Sequence, residues 1–352
     1  MAQPPRPGRS RAGAPVAPNT SSAIGSADPA VPWWRNRRVL PWVVQAAVAL
    51  AVLLVAVFLL GNLIRNLTAA GLLLTWRWLG QPAGFPIGET TIPFDATMPY
   101  WRALLAGLAN TLRAVLSALV GATLLGTAAG MANFSSNGLL RRLVRAYVEV
   151  VRNIPLLVQL VFWYFVVFLS LPNGAAAIQL PGLTLAKSGL YLAGFGNGWS
   201  WVGPSLVNGV WQAPLRLSVE FGALLCGLVV YSGAYIAEVV RGGIAAVTQG
   251  QWEAAASLGL GWFSTLRHVV LPQALRVIVP GLNTQYISLA KNSSLAVAVG
   301  FPDLYAVAET TLNQTGRAVE VVILLLASYL VLDLLISALM NGLNQLVQIR
   351  ER

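Results

Sequence analysis

Charge is what this sequence has least of. Only 10% of its 352 residues are Asp, Glu, Lys or Arg, where a water-soluble domain carries about a quarter. A chain so poor in charge lacks the polar surface of a soluble globule. Histidine occurs once, at His268, without the companions a metal site needs, so a structural role is expected for it. Cysteine also occurs once, at Cys226, which excludes an internal disulfide; its apolar surroundings point to a buried, inert thiol. No G-x-x-x-x-G-K-[ST] phosphate loop is present, since "GLTLAKS" fails at Ala186. Nor is there a clustered nucleophile, acid–base pair or metal set, which argues against a membrane enzyme.

What abounds is hydrocarbon. Apolar residues make up 56% of the chain, the mean hydropathy is +0.67, and several runs exceed the roughly 18 residues needed to cross a bilayer. The expected fold class is therefore all-α: a polytopic membrane protein of about six transmembrane helices. The formal charge of +11 is spread over arginines that flank the apolar runs, as topology signals do, so nucleic acid is not an expected partner.

Residues 1–38, rich in Pro, Ala, Gly, Ser and Arg, are predicted to be a disordered cytoplasmic tail. The run 39–64 is too long for a secretory h-region and reads as a first membrane helix, with Arg35, Arg37 and Arg38 inside and Trp33, Trp34 and Trp42 at the interface. Residues 65–99, with "QPAGFPIGETTIPFD", are expected to form an ordered periplasmic loop. A membrane-spanning core of 100–346 follows. Its second span, 100–132, carries Ala118, Ala122, Gly126 and Gly130 every four residues, a ridge for close helix packing. Arg141, Arg142 and Arg145 mark a cytoplasmic loop before the third span, entered through "YVEVVRNIPLLVQLVFWYFVVFLSLP". The stretch 172–215, with Trp199, Trp201 and Trp211, is either an external insertion lying partly in the interface or a short extra hairpin through the membrane. Spans four to six are expected near 217–240, 269–300 and 319–343, then a short tail, 347–352, holding Arg350 and Arg352. The arginine bias places both termini in the cytoplasm, although Arg65, Arg77 and Arg102 fall on the wrong side.

Between spans four and five stands a loop, 248–268, that includes "EAAASLGLGWFSTLRHVVLP", Glu253 to Pro272, once the next span's entry is counted. Thr248 and Gln251 have the spacing of a capping box, and Glu253 suits the positive end of a helix dipole. Trp252, Ala255, Ala256 and Gly259 fall at i, i+3, i+4 and i+7, predicting one flat apolar face. Gly259 or Gly261 is expected to end the helix in the left-handed conformation. Such an element either lies on lipid headgroups or fits a groove in another protein. Its polar face carries Glu253 and Ser257 but no lysine, which favours the groove.

These residues resemble a known family. Glu253-Ala254-Ala255, three residues, Gly259, nine residues and Val269-x-Leu271-Pro272 are similar to the "EAA" loop of permease subunits of binding-protein-dependent ABC importers, with Val in place of the usual Ile at 269. "YIAEVVRGGIAAVTQGQWEAAASLG", "VEVVRNIPLLVQLVFWYF" and "LAKNSSLAVAVGFPDL" resemble the polar amino-acid (HisM-like) branch. "QPAGFPIGE" and "KSGLYL" are similar to the general L-amino-acid, or glutamate/glutamine/aspartate/asparagine, type. The resemblance spans about 39–350 and implies a type I ABC importer permease fold in the bacterial inner membrane. It further implies that Glu253, Ala254, Ala255 and Gly259 couple the chain to a cytoplasmic ATPase dimer, which holds the ATP and Mg. A second permease subunit, distinct or identical, and a periplasmic amino-acid-binding protein complete the implied assembly. No cofactor is expected on this chain itself. The rival function is an ion-coupled secondary transporter, against which stands the lack of an internal repeat.

Polar groups within spans are candidates for a cargo pathway. Gln285, Ser288 and Asn292 form one stripe at i, i+3 and i+7, with Lys291 beside it. They either contact an amino-acid cargo or hydrogen-bond neighbouring helices. Relatives importing basic amino acids tend to carry carboxylates at the places matching Gln285 and Asn292, so the amides here imply a broad or acidic-to-neutral range. Lys291 either attracts a carboxylate or satisfies helix carbonyls. Asn153 and Gln159 face the same choice beside Pro155, whose kink frees a carbonyl. Asn110 and Thr111 read as packing groups. Glu238 and Arg241, one turn apart, are expected to form a local ion pair, as is Glu149 with Arg145 and Arg152.

Overall fold

The computed structural model describes residues 40–69, 71, 74–195 and 200–347. The tail expected over 1–38, with its tryptophans and arginines, lies outside the described residues, as do Trp199, Arg350 and Arg352. The chain divides into two units, 1–73 and 74–352. In the first, helix α1 (Leu40–Ala69) has 30 residues and a mean hydropathy of 2.9. At roughly 1.5 Å per residue it is about 45 Å long, more than enough to cross hydrocarbon. It continues past Ile64, so Arg65 stands on the helix and not in a loop.

The second unit is built on two parallel helices, α2 (Tyr100–Ala132) and α5 (Val219–Ala245). The small-residue ridge of α2 makes the contact. Ala118 and Ala122 are wholly buried, and a methyl added at Gly126 would stand 2.6 Å from Ile236 Cβ. At Gly130 it would stand 2.7 Å from Val240 Cβ. Backbones that close exclude any side chain at these places. Helix α8 (Leu271–Asn292) runs antiparallel to α5, with Gly281 against Val239 and Gly243 against Ile278. Helix α10 (Ala318–Val347) packs on α8.

Two elements are broken. Helix α3 (Gly138–Asn153) is capped by Asn137, whose Oδ1 accepts from Leu139 N at 2.9 Å. It turns through 106° into α4 (Leu156–Val161), which continues as a π-helix to Phe168. The third membrane element thus starts only after Pro155, and "YVEVVRN" is a separate helix crossing it. The second break follows α8. A 3₁₀ segment (Ser293–Val299) ends at Gly300, and the chain bends by 57° into α9 (Leu304–Thr315). Helix α9 lies on α2, where a methyl at Gly107 would be 3.0 Å from Leu304 Cα. Sequence reading left this segment as a connection between spans. Among the described residues α1, α2, α5 and α10 are long and apolar enough to cross a membrane, and the two bent pairs raise the count to six.

Among its described residues the 172–215 insertion has a 3₁₀ turn (Gly174–Ala176) and strands too short to form a hairpin through the membrane. It folds as an antiparallel sheet in the order β1-β2-β3-β8, from Ile178–Leu180, Leu183–Ala186, Gly189–Leu192 and Leu215–Leu217. Two hairpins interrupt it: β4–β5 (Gly194–Phe195, Trp201–Val202) and β6–β7 (Ser205–Val207, Val210–Gln212). Asn208 (φ 50°) and Gly209 (φ 77°) close the latter, the turn that Asn-Gly is suited to make. Trp211, expected at the interface, is buried against Tyr191 and donates from Nε1 to Gly174 O at 2.8 Å.

Residues 74–99 form a folded cap. Trp78, Ala83 and Phe85 pack with Tyr100, Val307, Ala308 and Val321. Thr97 donates its N–H to Asp95 Oδ1 at 2.8 Å and its hydroxyl to the same atom, holding the Asp95 carboxyl below its ordinary value.

Candidate functional site

Because α2 and α5 are parallel, the cap and the β module lie at one end of the bundle. At the other end α5 leads through a turn into α6 (Gln249–Ser257) and α7 (Trp262–Thr265), which run by a π-helical turn into α8. Thr248 is the N-cap residue of α6, but its hydroxyl makes no capping bond. Gln251 does not fold back on it either; its Oε1 accepts from Gln273 Nε2 of α8 at 3.1 Å. The expected capping box is therefore absent, and its glutamine ties α6 to the bundle.

The end of α6 is a complete Schellman motif. Leu260 N donates to Ala255 O at 3.1 Å and Gly259 N to Ala256 O at 2.9 Å, with Gly259 at φ 74°. Gly261, at φ −66°, instead opens α7. The expected flat apolar face divides. Trp252 and Ala255 turn inward, Ala255 being only 2% exposed. Glu253, Ala254, Ala256, Ser257 and Gly259 face outward, and Leu258 at the tip is 80% exposed. Of the four residues assigned to coupling, Ala255 thus seats the element on its own chain while Glu253, Ala254 and Gly259 are presented. Beside α6 is a 460 Å³ cavity lined by Thr248, Gln251, Gln273 and Arg276. An 810 Å³ apolar groove separates α7 from the end of α2, between Trp262, Phe263, Met131 and Phe134. His268 sits nearby, its Nδ1 3.0 Å from Ser264 O.

Within the bundle, Gln285 and Asn292 are half-buried and Ser288 is exposed. None of the three makes a side-chain hydrogen bond among the described residues. Lys291 does have a partner, and it is not a helix carbonyl: Nζ lies 3.2 Å from Asp333 Oδ2 of α10. Asp333 Oδ1 is buried without a partner. Gln159, the other candidate beside Pro155, is already engaged within the chain. It is buried, and its Nε2 donates to Val151 O and Ile154 O, both at 2.9 Å, serving the carbonyls freed by the break at Pro155. Asn153 is exposed at the same break and lines a 680 Å³ cavity with Arg145, Glu149, Arg152, Tyr235 and Glu238. Glu238 accepts from Arg241 Nε at 2.9 Å, the expected pair. Glu149, in contrast, pairs with neither Arg145 nor Arg152 among the described residues; Arg152 instead lies 5.0 Å over the Tyr235 ring.

Asn110 and Thr111 pack as expected. Asn110 Oδ1 accepts from Thr91 N at 2.9 Å, and its Nδ2 donates to Glu89 O and Pro302 O, both at 2.8 Å. Thr111 Oγ1 accepts from Leu304 N at 2.9 Å. Sequence reading missed three further ionisable groups in or against the spans. Arg113 of α2 pairs with Glu89 of the cap. Asp333 holds Lys291. Asp303 caps α9, accepting from Ala306 N at 2.9 Å and from the Tyr329 hydroxyl at 3.3 Å. A charge inside a hydrophobic run was the available signal for Arg113 and Asp333.

Residues 121–349 match the family described as binding-protein-dependent transport system inner membrane component. The chain is 37% identical to the general L-amino acid transport system permease protein AapQ of Rhizobium johnstonii, over 83% of this chain and 87% of that one. It is 32% identical to the glutamate/glutamine/aspartate/asparagine transport system permease protein BztB of Rhodobacter capsulatus, over 88% and 94% respectively. Among solved structures it is similar to the crystal structure of an amino acid ABC transporter with histidines, at 28% identity and a TM-score of 0.52. That match covers 70% of this chain and 94% of the other.

Proposed function

The chain belongs to the inner-membrane components of binding-protein-dependent transport systems, and from that premise we propose that it is the permease subunit of an ATP-driven amino-acid importer. The observation that carries the mechanism is the outward face of α6. A Schellman-capped helix, seated by Trp252 and Ala255, presents Glu253, Ala254 and Leu258 at the end of the bundle away from the cap. A short rigid knob of this kind suits a groove in another protein. The partner is a cytoplasmic ATPase dimer that holds ATP and Mg, so this chain transmits motion and performs no chemistry of its own. A second permease subunit, related but distinct, and a periplasmic amino-acid-binding protein complete the importer, and both termini face the cytoplasm.

Motion delivered at α6 passes to α8, to which it is tied by Gln251 and Gln273. Helix α8 carries Gln285, Ser288 and Asn292, whose side chains make no hydrogen bond among the described residues. Neutral amides can meet both the carboxylate and the ammonium of an amino acid, and these residues with Lys291 form the proposed pathway. Neither the family nor the relatives favours an ion-coupled transporter. Reconstitution with the ATPase, second permease and binding protein in proteoliposomes tests the reading. Amino-acid uptake is expected only with ATP and binding protein present. Uptake that follows an ion gradient and ignores ATP overturns it.

A further inference from the structure

We propose that Arg113 receives the carboxylate of the incoming amino acid, and that Glu89 is a tethered carboxylate standing in for it. This rests on the importer reading above and adds to it a residue on the route to the α8 stripe.

Position is the first argument. Thr123 Oγ1 of α2 lies 2.7 Å from the Tyr286 hydroxyl of α8, fixing a common level for these antiparallel helices. From Thr123 back to Arg113 is about 15 Å of helix, and from Tyr286 on to Asn292 about 9 Å. Arg113 therefore stands about one helical turn beyond Asn292, on the side of the cap.

The ion pair is also incomplete. The guanidinium is held 4.1 Å over the Phe221 ring and 5.8 Å from that of Phe301, an aromatic platform that fixes its plane. Glu89 Oε1 meets Nη2. Arg113 Nε and Glu89 Oε2 are both buried with no hydrogen-bond partner among the described residues. Arg is suited to two parallel bonds with one carboxylate, and here only one prong of the fork is used. A pair kept for stability alone is normally satisfied on all sides, because each idle polar atom adds to its desolvation cost.

Nor does the cap need the Glu89 side chain to stay in place. Its backbone is stitched to α2 by Asn110, through Glu89 O and Thr91 N. Trp78, Phe85 and Tyr100 anchor it further. The carboxylate can swing away while the chain that bears it remains fixed. Exchanging one carboxylate for another also leaves Arg113 neutralised throughout, which avoids stranding a bare cation in an apolar bundle.

The test uses the assembled permease–ATPase complex in lipid nanodiscs without binding protein, with L-glutamine as probe and its α-amide, which lacks the carboxylate, as control. Glu89→Gln removes the internal competitor and is expected to tighten L-glutamine binding about tenfold while leaving the amide unchanged. Adding Arg113→Gln is expected to abolish that gain, and Arg113→Lys to restore part of it. Unchanged or weaker binding in Glu89→Gln overturns the proposal. If Glu89→Gln does not assemble, Glu89→Asp, one methylene too short to reach, takes its place. Failure of both to assemble makes Glu89 structural and also overturns it. ATP-dependent uptake by the wild-type complex, measured alongside, shows whether the importer reading stands independently of that result.

Discussion

At Gly259 the chain leaves α6 with φ at 74°, a region that costs a residue with a β-carbon roughly 1–2 kcal/mol. A side chain there would meet no atom within 4 Å, so Gly259→Val strains the backbone alone. The Schellman bonds loosen and the tip carrying Leu258 loses its fixed direction. Membrane insertion is expected to be normal and co-purification of the ATPase to fall severalfold; undiminished co-purification counts against the coupling role. In the bundle, Gln285→Glu replaces a neutral amide whose side chain has no partner among the described residues. Competition assays are expected to show preference moving towards basic amino acids; an unaltered cargo profile makes Gln285 a packing group. The helix-ending turn at Gly259 was legible in the sequence because spacing within one short segment defines it. The Lys291–Asp333 pair was not, since its members sit on different helices and only the packing of α10 on α8 brings them together.

Elements show the same division. The four-residue period of Ala118, Ala122, Gly126 and Gly130 is a local pattern, and it lies where α2 and α5 touch. Gly126→Val forces a branched side chain against Ile236 and Gly233 O. Overpacking of this kind costs about 1–3 kcal/mol, so the thermal midpoint of the detergent-solubilised protein is expected to drop by several degrees, with less protein recovered folded. An unaltered midpoint would mean that the two helices are not held this closely. Helix α9 escaped notice because twelve residues fit no span template and its apolar side is set by contact with α2. The β module was overlooked despite a usable cue, the Asn208-Gly209 pair between Val207 and Val210. For Gln159 the sequence left cargo contact and helix bonding both open, because an amide in a hydrophobic run does not show how sharply the helix beside it is broken.

For the whole molecule, the two ends of the bundle differ in kind. One carries a folded cap and a sheet, the other short helices that include the α6 knob. A cysteine placed at exposed Ser257, with Cys226→Ala to silence the native thiol, reports which end faces the cell interior. Ser257→Cys is expected to react with impermeant maleimide only in inside-out vesicles. Labelling confined to right-side-out vesicles would put the knob beyond reach of any cytoplasmic ATPase. Overall architecture was readable in advance because hydrocarbon thickness dictates span length. The departures are the places where the chain turns back on itself.

The near-right-angled elbow at Pro155 makes α4 an axle and α3 the arm of a crank. With sixteen residues, α3 is about 24 Å long, so turning the axle by about 10° sweeps its Gly138 end through about 4 Å. Gln159 rivets the elbow from within. Val144, Tyr147 and Val148 pack on Ala129 and Ala237, so the arm rests on α2 and α5 and any turn of the axle has to carry or slide past them.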